Sequence, residues 1–146
     1  MDINHTYKLA GLIPIFFIMS CSGIRNLSDY DSSTAKRIEQ TAEKIDKLYL
    51  SITELTEQGD KDRSYDKYAK SYLAVEVDIR AIVFKLSSQY TQGAEDGAQS
   101  VLSYWQDCKQ LHNDEDANIS DAQLNICHRQ SISLLKALHF SETSKE

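Results

Sequence analysis

Proline is almost missing from this chain of 146 residues: Pro14 is the only one, and there are just five glycines. Turn-rich β folds need both residue types at their corners, so the shortage disfavours a sandwich or barrel and suits long helices. Positive charge is also in deficit, with 16 Lys and Arg against 22 Asp and Glu for a net charge of −6. That balance excludes a nucleic-acid partner and an added polybasic grip on anionic lipid. No apolar run reaches the about 20 residues needed to span a bilayer core as a helix. The chain has no P-loop, dinucleotide fingerprint, hydrolase elbow or His-Glu-x-x-His, so neither an enzyme nor a cofactor is expected. Internal repeats and low-complexity tracts are missing too.

The N-terminus carries the sharpest pattern. Leu9 to Ser20 is a largely apolar run of twelve residues behind a short polar stretch in which Asp2 offsets Lys8. Its length fits the apolar region of a secretory signal. The run ends in Ile18-Met19-Ser20-Cys21, which resembles the lipobox of bacterial prolipoproteins: an aliphatic residue, a variable one, a small one, then cysteine. Met19 is somewhat larger than the residues commonest at its position. The resemblance implies cleavage before Cys21, a diacylglycerol on its thiol and an acylated new amine. Two or three acyl chains, at about 0.8 kcal/mol per buried CH₂, anchor a protein essentially permanently. Ser22 stands where an Asp retains enterobacterial lipoproteins in the inner membrane, so the resemblance points to the outer membrane, facing the periplasm.

Removing residues 1–20 takes away one Lys and one Asp, so the remaining 126 residues also carry −6. That length fits one domain. Residues 21–31 read as a lipidated tether, 32–140 as a helical bundle and 141–146 as a frayed tail.

Helical periodicity fills the domain. Ala35, Ile38, Ala42, Ile45, Tyr49, Ile52 and Leu55 form one apolar stripe, with Asp31, Ser32 or Ser33 as cap and Gly59 as the stop. Tyr65, Tyr68, Tyr72, Val75, Ile79, Ile82 and Leu86 form a second stripe behind Ser64. Leu73, Val77 and Phe84 add a flank that predicts deeper burial for this helix. Val75 to Ile79 also alternates like a strand, against which the unbroken helical stripe weighs. A third helix is expected over about Glu95 to His112, with Ala98, Val101, Trp105, Cys108 and His112 inward. After the acidic turn 113–118, Ser120 and Gln123 match a capping box. The fourth helix presents Leu124, Cys127, Leu134, Leu135 and Leu138. The expected class is all-α: a small antiparallel bundle of three or four helices behind a lipoprotein signal.

With Cys21 spent on lipid outside the cytoplasm, Cys108 and Cys127 are expected to form a disulfide across the third hairpin, the alternative being buried free thiols. A Cys₂His₂ zinc site adding His112 and His128 is disfavoured, because adjacent Cys127 and His128 diverge by about 100° on a helix. The Asp114-Glu115-Asp116 run lacks a calcium-loop pattern and reads as a solvated turn at the start of the fourth helix. Glu76 and Asp78 face different ways on a helix, which suits interhelical ion pairs better than acid–base catalysis. Tyr65, Tyr68 and Tyr72 are either core or a partner-binding face, since tyrosine is enriched in both settings. The expected role is a non-catalytic envelope lipoprotein that binds another envelope protein. Pilotin-like lipoproteins of secretion systems share its size and class but no motif, and a conjugative-exclusion lipoprotein is a further alternative.

Overall fold

A computed structural model of the protein describes residues 31–57, 62–89 and 92–144, and within these no side chain at 55–57 or 92. The expected signal sequence, Cys21 and most of the expected tether lie outside the described residues. Four helices follow in order: α1 (Ser32–Glu57), α2 (Tyr65–Ser87), α3 (Gln92–Glu115) and α4 (Asp121–Thr143). A single 3₁₀ turn, Asp116–Asn118, joins α3 to α4. Among the described residues there is no strand, and no helix is long and apolar enough to cross a membrane.

The helices form a ring. α1 packs on α2 and α4, and α3 packs on α2 and α4, which leaves α2 and α4 on opposite corners. Contacts at each end fix the antiparallel order. At one end Lys85, late in α2, meets Asp31 before α1, and Ser87 hydrogen-bonds Glu95 early in α3. At the other end Arg63, before α2, pairs with Asp121 at the start of α4. The expected bundle is therefore present with four helices, α4 among them.

The stripes read from the sequence converge on one core. Ile38, Ile45, Ile52, Tyr72, Ile79, Ile82, Leu86, Ala98, Trp105, Leu124 and Leu135 are essentially sealed from solvent. Leu48 and Ile119 join them, and Ala42 and Leu134 are half-buried at the margin. Caps end the helices where local chemistry allows. Asp31 accepts the Ser33 amide at 2.9 Å, and its carboxyl is held well below the usual carboxylate range, chiefly by the Ser33 hydroxyl. Ser120 and Gln123 form the full reciprocal capping box.

Three expectations are corrected. Leu73, Val77 and Phe84 are not a buried flank but stand exposed, at 58, 57 and 78 %. At about 100° per residue they sit some 160° from the centre of the Tyr72–Leu86 stripe, so the core cannot reach them. The tail also does not fray at residue 141, because α4 runs to Thr143 and Glu142 is buried. α3 is longer than expected at both ends, starting at Gln92 and running through the acids to Glu115.

Candidate functional site

A polar cluster closes the end of the bundle at which α2 begins. His112, fully buried on α3, places Nε2 2.7 Å from the carbonyl oxygen of Arg63 and Nδ1 2.9 Å from the Tyr72 hydroxyl. A carbonyl only accepts, so Nε2 carries the proton and Nδ1 accepts from Tyr72. Burial pushes the His112 pKa down, which favours this neutral imidazole. Arg63 extends the cluster by donating to the Ile119 carbonyl at 3.1 Å and pairing with Asp121. Asp116, at φ 50°, accepts the Tyr65 amide at 2.8 Å and so caps α2 from a different part of the chain.

Around His112 the aromatic rings are closely packed. Tyr72 lies 5.2 Å from Trp105 and 5.4 Å from His112 between centroids, while Tyr65 lies 5.7 Å from Tyr72. Trp105 Nε1 donates to the Tyr72 carbonyl at 3.3 Å. Tyr49 meets Tyr72 and Trp105 edge-on and stacks on His128 at 5.2 Å. Burial pushes the Tyr49 phenol's pKa far up, and the neighbouring Tyr72 adds to the rise. Tyr68 and Tyr72 are buried and Tyr65 is half-buried against the core. Of the two readings of Tyr65, Tyr68 and Tyr72, core holds for Tyr68 and Tyr72, which are sealed around His112, while Tyr65 packs on the core and keeps part of its ring exposed.

Cys108 and Cys127 are disulfide-bonded, with Cα atoms 5.7 Å apart, and staple α3 to α4. Their sulfurs are thereby committed to each other. His128 is elsewhere, 2.6 Å from Asp46 on α1, so the Cys₂His₂ set is not assembled. Among the described residues no group of three His, Cys, Asp or Glu side chains could hold a metal ion. Cys21 lies outside the described residues.

The acids of α2 serve its two neighbours. Glu76 is buried and accepts from Lys109 and Gln106 on α3 and from Arg80 on its own helix. The Lys109 ammonium does most to lower the Glu76 carboxyl, to about 2, and Arg80 and Gln106 add to it against partial desolvation. Asp78 instead meets Lys44 and Arg37 on α1. A separation of two residues, about 200° on the helix, aims the acids at opposite sides.

A groove of about 560 Å³ runs between α1 and the start of α4, lined by Tyr49, Leu50, Thr53, Arg63, Asp121, Leu124, Asn125 and His128. Among its polar side chains, Arg63 pairs with Asp121, and His128 hydrogen-bonds Asp46. The Thr53 hydroxyl in its lining donates to the carbonyls of Tyr49 and Leu50 on its own helix.

The outer surface carries the least expected feature. Leu73 and Val77 lie one turn apart on the outside of α2, and Phe84 continues the line. Because Glu76 and Asp78 are drawn into interhelical pairs, the exposed charges of this helix are Asp66 against Lys67, Lys70, Arg80 and Lys85. The sequence signal for this stripe was present in the 73–77–84 spacing, which the prediction of deeper burial had assigned to the core.

The fold and these sites define a disulfide-stapled, antiparallel four-helix bundle. No family model matches the chain, and no curated protein or solved structure shows significant similarity to it.

Proposed function

We propose that the protein is a lipid-anchored component of a bacterial cell envelope, held to the membrane through Cys21 and acting without catalysis by binding another envelope protein. The observation that carries the anchor is Ile18-Met19-Ser20-Cys21 at the end of a twelve-residue apolar run. The Cys108–Cys127 disulfide supports it independently, because such bonds persist in oxidising compartments such as the periplasm. Ser22 favours the outer membrane.

The binding face is the outer side of α2. Leu73 and Val77 form an apolar ridge there, with Lys70 and Arg80 beside it, in a chain whose net charge is −6. Such a surface suits an amphipathic helix of the partner with its own apolar ridge and acidic flanks.

Two measurements test the reading. Palmitate labelling should disappear, and the precursor should stay uncut, in Cys21→Ala; unchanged labelling would overturn the anchor. A photo-crosslinking residue at Leu73 or Val77 should join one defined envelope protein in living cells. The same residue at Ile126 should not, and equal yields at all three positions would reject α2 as the face.

A further inference from the structure

The two most exposed large apolar side chains of the described residues are both phenylalanines, Phe84 at 78 % and Phe140 at 73 %. They occupy matching places in the fold. Phe84 lies in the last turn of α2 and Phe140 in the last turn of α4, on opposite corners of the ring. Both helices finish at the end where α1 begins, as the Lys85–Asp31 and His139–Glu39 contacts establish. This end therefore carries an aromatic ring on each of two opposite edges.

It is also the end at which the chain leading from Cys21 enters the bundle. Asp31 is ten positions along the chain from Cys21, a contour of at most about 36 Å. The far end of the bundle is about 35 Å further along the helices, at about 1.5 Å per residue. Ile126, another exposed apolar residue, is about 21 Å from the level of Phe140 by the same rise.

We propose that this end of the bundle rests on the bilayer itself, with the rings of Phe84 and Phe140 inserted at the boundary between headgroups and acyl chains. The inference rests on the lipid-anchor reading and deepens it, since it assigns the bundle an orientation. Phenylalanine is suited to that depth, where interfacial helices bury their apolar groups by about 5–10 Å. The charges beside the rings are compatible with close approach. Lys85 is 3.1 Å from Asp31, and His139 lies 3.2 Å from Glu39. With net charge −6 the protein is not drawn to anionic lipid by its overall charge, and apolar insertion orients a bundle that the acyl chains already hold at the surface. Tethering makes even a weak contact count, because a short linker holds the local lipid concentration high. An upright bundle also leaves the Leu73–Val77 ridge accessible from the side.

The test uses the full-length chain, processed in a lipoprotein-maturing host and reconstituted into phosphatidylethanolamine–phosphatidylglycerol vesicles with brominated acyl chains. Tryptophan is placed singly at Phe84, Phe140, Val77 or Ile126, and the signal of buried Trp105 is subtracted using the unsubstituted protein. Insertion should blue-shift the emission of Phe84→Trp and Phe140→Trp, and the brominated chains should quench it, while Ile126→Trp stays unaffected. Vesicle-bound protein with no quenching at 84 and 140 would overturn the proposal and leave those rings to a protein partner. Quenching at Val77 or Ile126 equal to that at 84 and 140 would also overturn it, because the bundle would then lie on its side. The mass of the same preparation reports acylation of Cys21. Should acyl mass be missing, the anchor reading fails separately, and coupling the Cys21 thiol to a maleimide lipid lets the same four positions be read.

Discussion

The Tyr72 hydroxyl gives its proton to Nδ1 of His112 at 2.9 Å, and this single bond joins the longest aromatic stripe of the protein to its only fully buried imidazole among the described residues. Burial favours the neutral ring, in which Nδ1 accepts and Tyr72 donates; on a protonated ring the hydroxyl would have to turn and accept instead.

A pH dependence follows. The unfolded imidazole titrates near its ordinary value of 6.5, while burial depresses the folded value. Between the two, the unfolded chain binds more protons, so stability falls as pH drops below about 6.5 and is fully present above it. Urea unfolding at several pH values should show this loss, and His112→Leu should flatten it. Glu76 adds a separate, lower window: its contribution is complete above its ordinary 4.5 and is lost as pH falls toward about 2. A slope between pH 6.5 and 5 that survives in His112→Leu would assign the effect to another group.

The disulfide closes a loop with 18 residues between Cys108 and Cys127, a separation of 19. Chain-entropy arithmetic for a loop near this size gives about 3 kcal/mol. Reduction, or Cys108→Ser with Cys127→Ser, should lower stability by about that amount without changing helical content. Alkylation of the unreduced chain in denaturant, where buried thiols are exposed, should leave Cys108 and Cys127 unmodified by mass, and two alkyl groups on them would refute the bond.

Truncation should separate the two sides of α2 cleanly. Tyr72→Ala removes a sealed ring and should cost about 3–5 kcal/mol, as Ile82→Ala should cost about 2–5. Leu73→Ala, one residue away but exposed, should stay within about 0.5 kcal/mol. Melting curves that fall equally for Tyr72→Ala and Leu73→Ala would contradict the packing.

Asp116 combines a left-handed backbone with an acceptor for the start of α2. Asp116→Asn should be close to neutral, because asparagine accepts as well and tolerates that conformation. Asp116→Gly should lose the acceptor alone, about 1 kcal/mol, and Asp116→Ala should lose more because it adds backbone strain. Thermal melts of the three variants should follow that order.

Helix positions, the capping box and the cysteine pair were legible because each is written in local spacing: stripes at three and four residues, Ser120 with Gln123, and two cysteines on facing stripes. What spacing could not tell was which of two apolar faces wins the core. Leu73, Val77 and Phe84 obey helical periodicity as well as Tyr72 and Ile79 do, and only the positions of α1 and α3 leave them outside. The cluster at His112 was hidden for another reason. Arg63, Asp116 and Ile119 belong to connections, where no period exists, and they meet only after the hairpins have packed. The carboxylate of Asp116 was expected to serve the neighbouring α4 and instead serves α2, 51 residues back.

The ring order of the helices has a kinetic consequence. Three seams, α1–α2, α2–α3 and α3–α4, join helices that follow one another, and hairpins of that kind close with little loop entropy. The α1–α4 seam is different, because its His128–Asp46 contact spans 82 positions. In the refolding of this chain that seam is the slow one to zip. Substitutions along it, Asp46 and Leu135 among them, belong to the unfolding limb of a chevron plot more than to the folding limb.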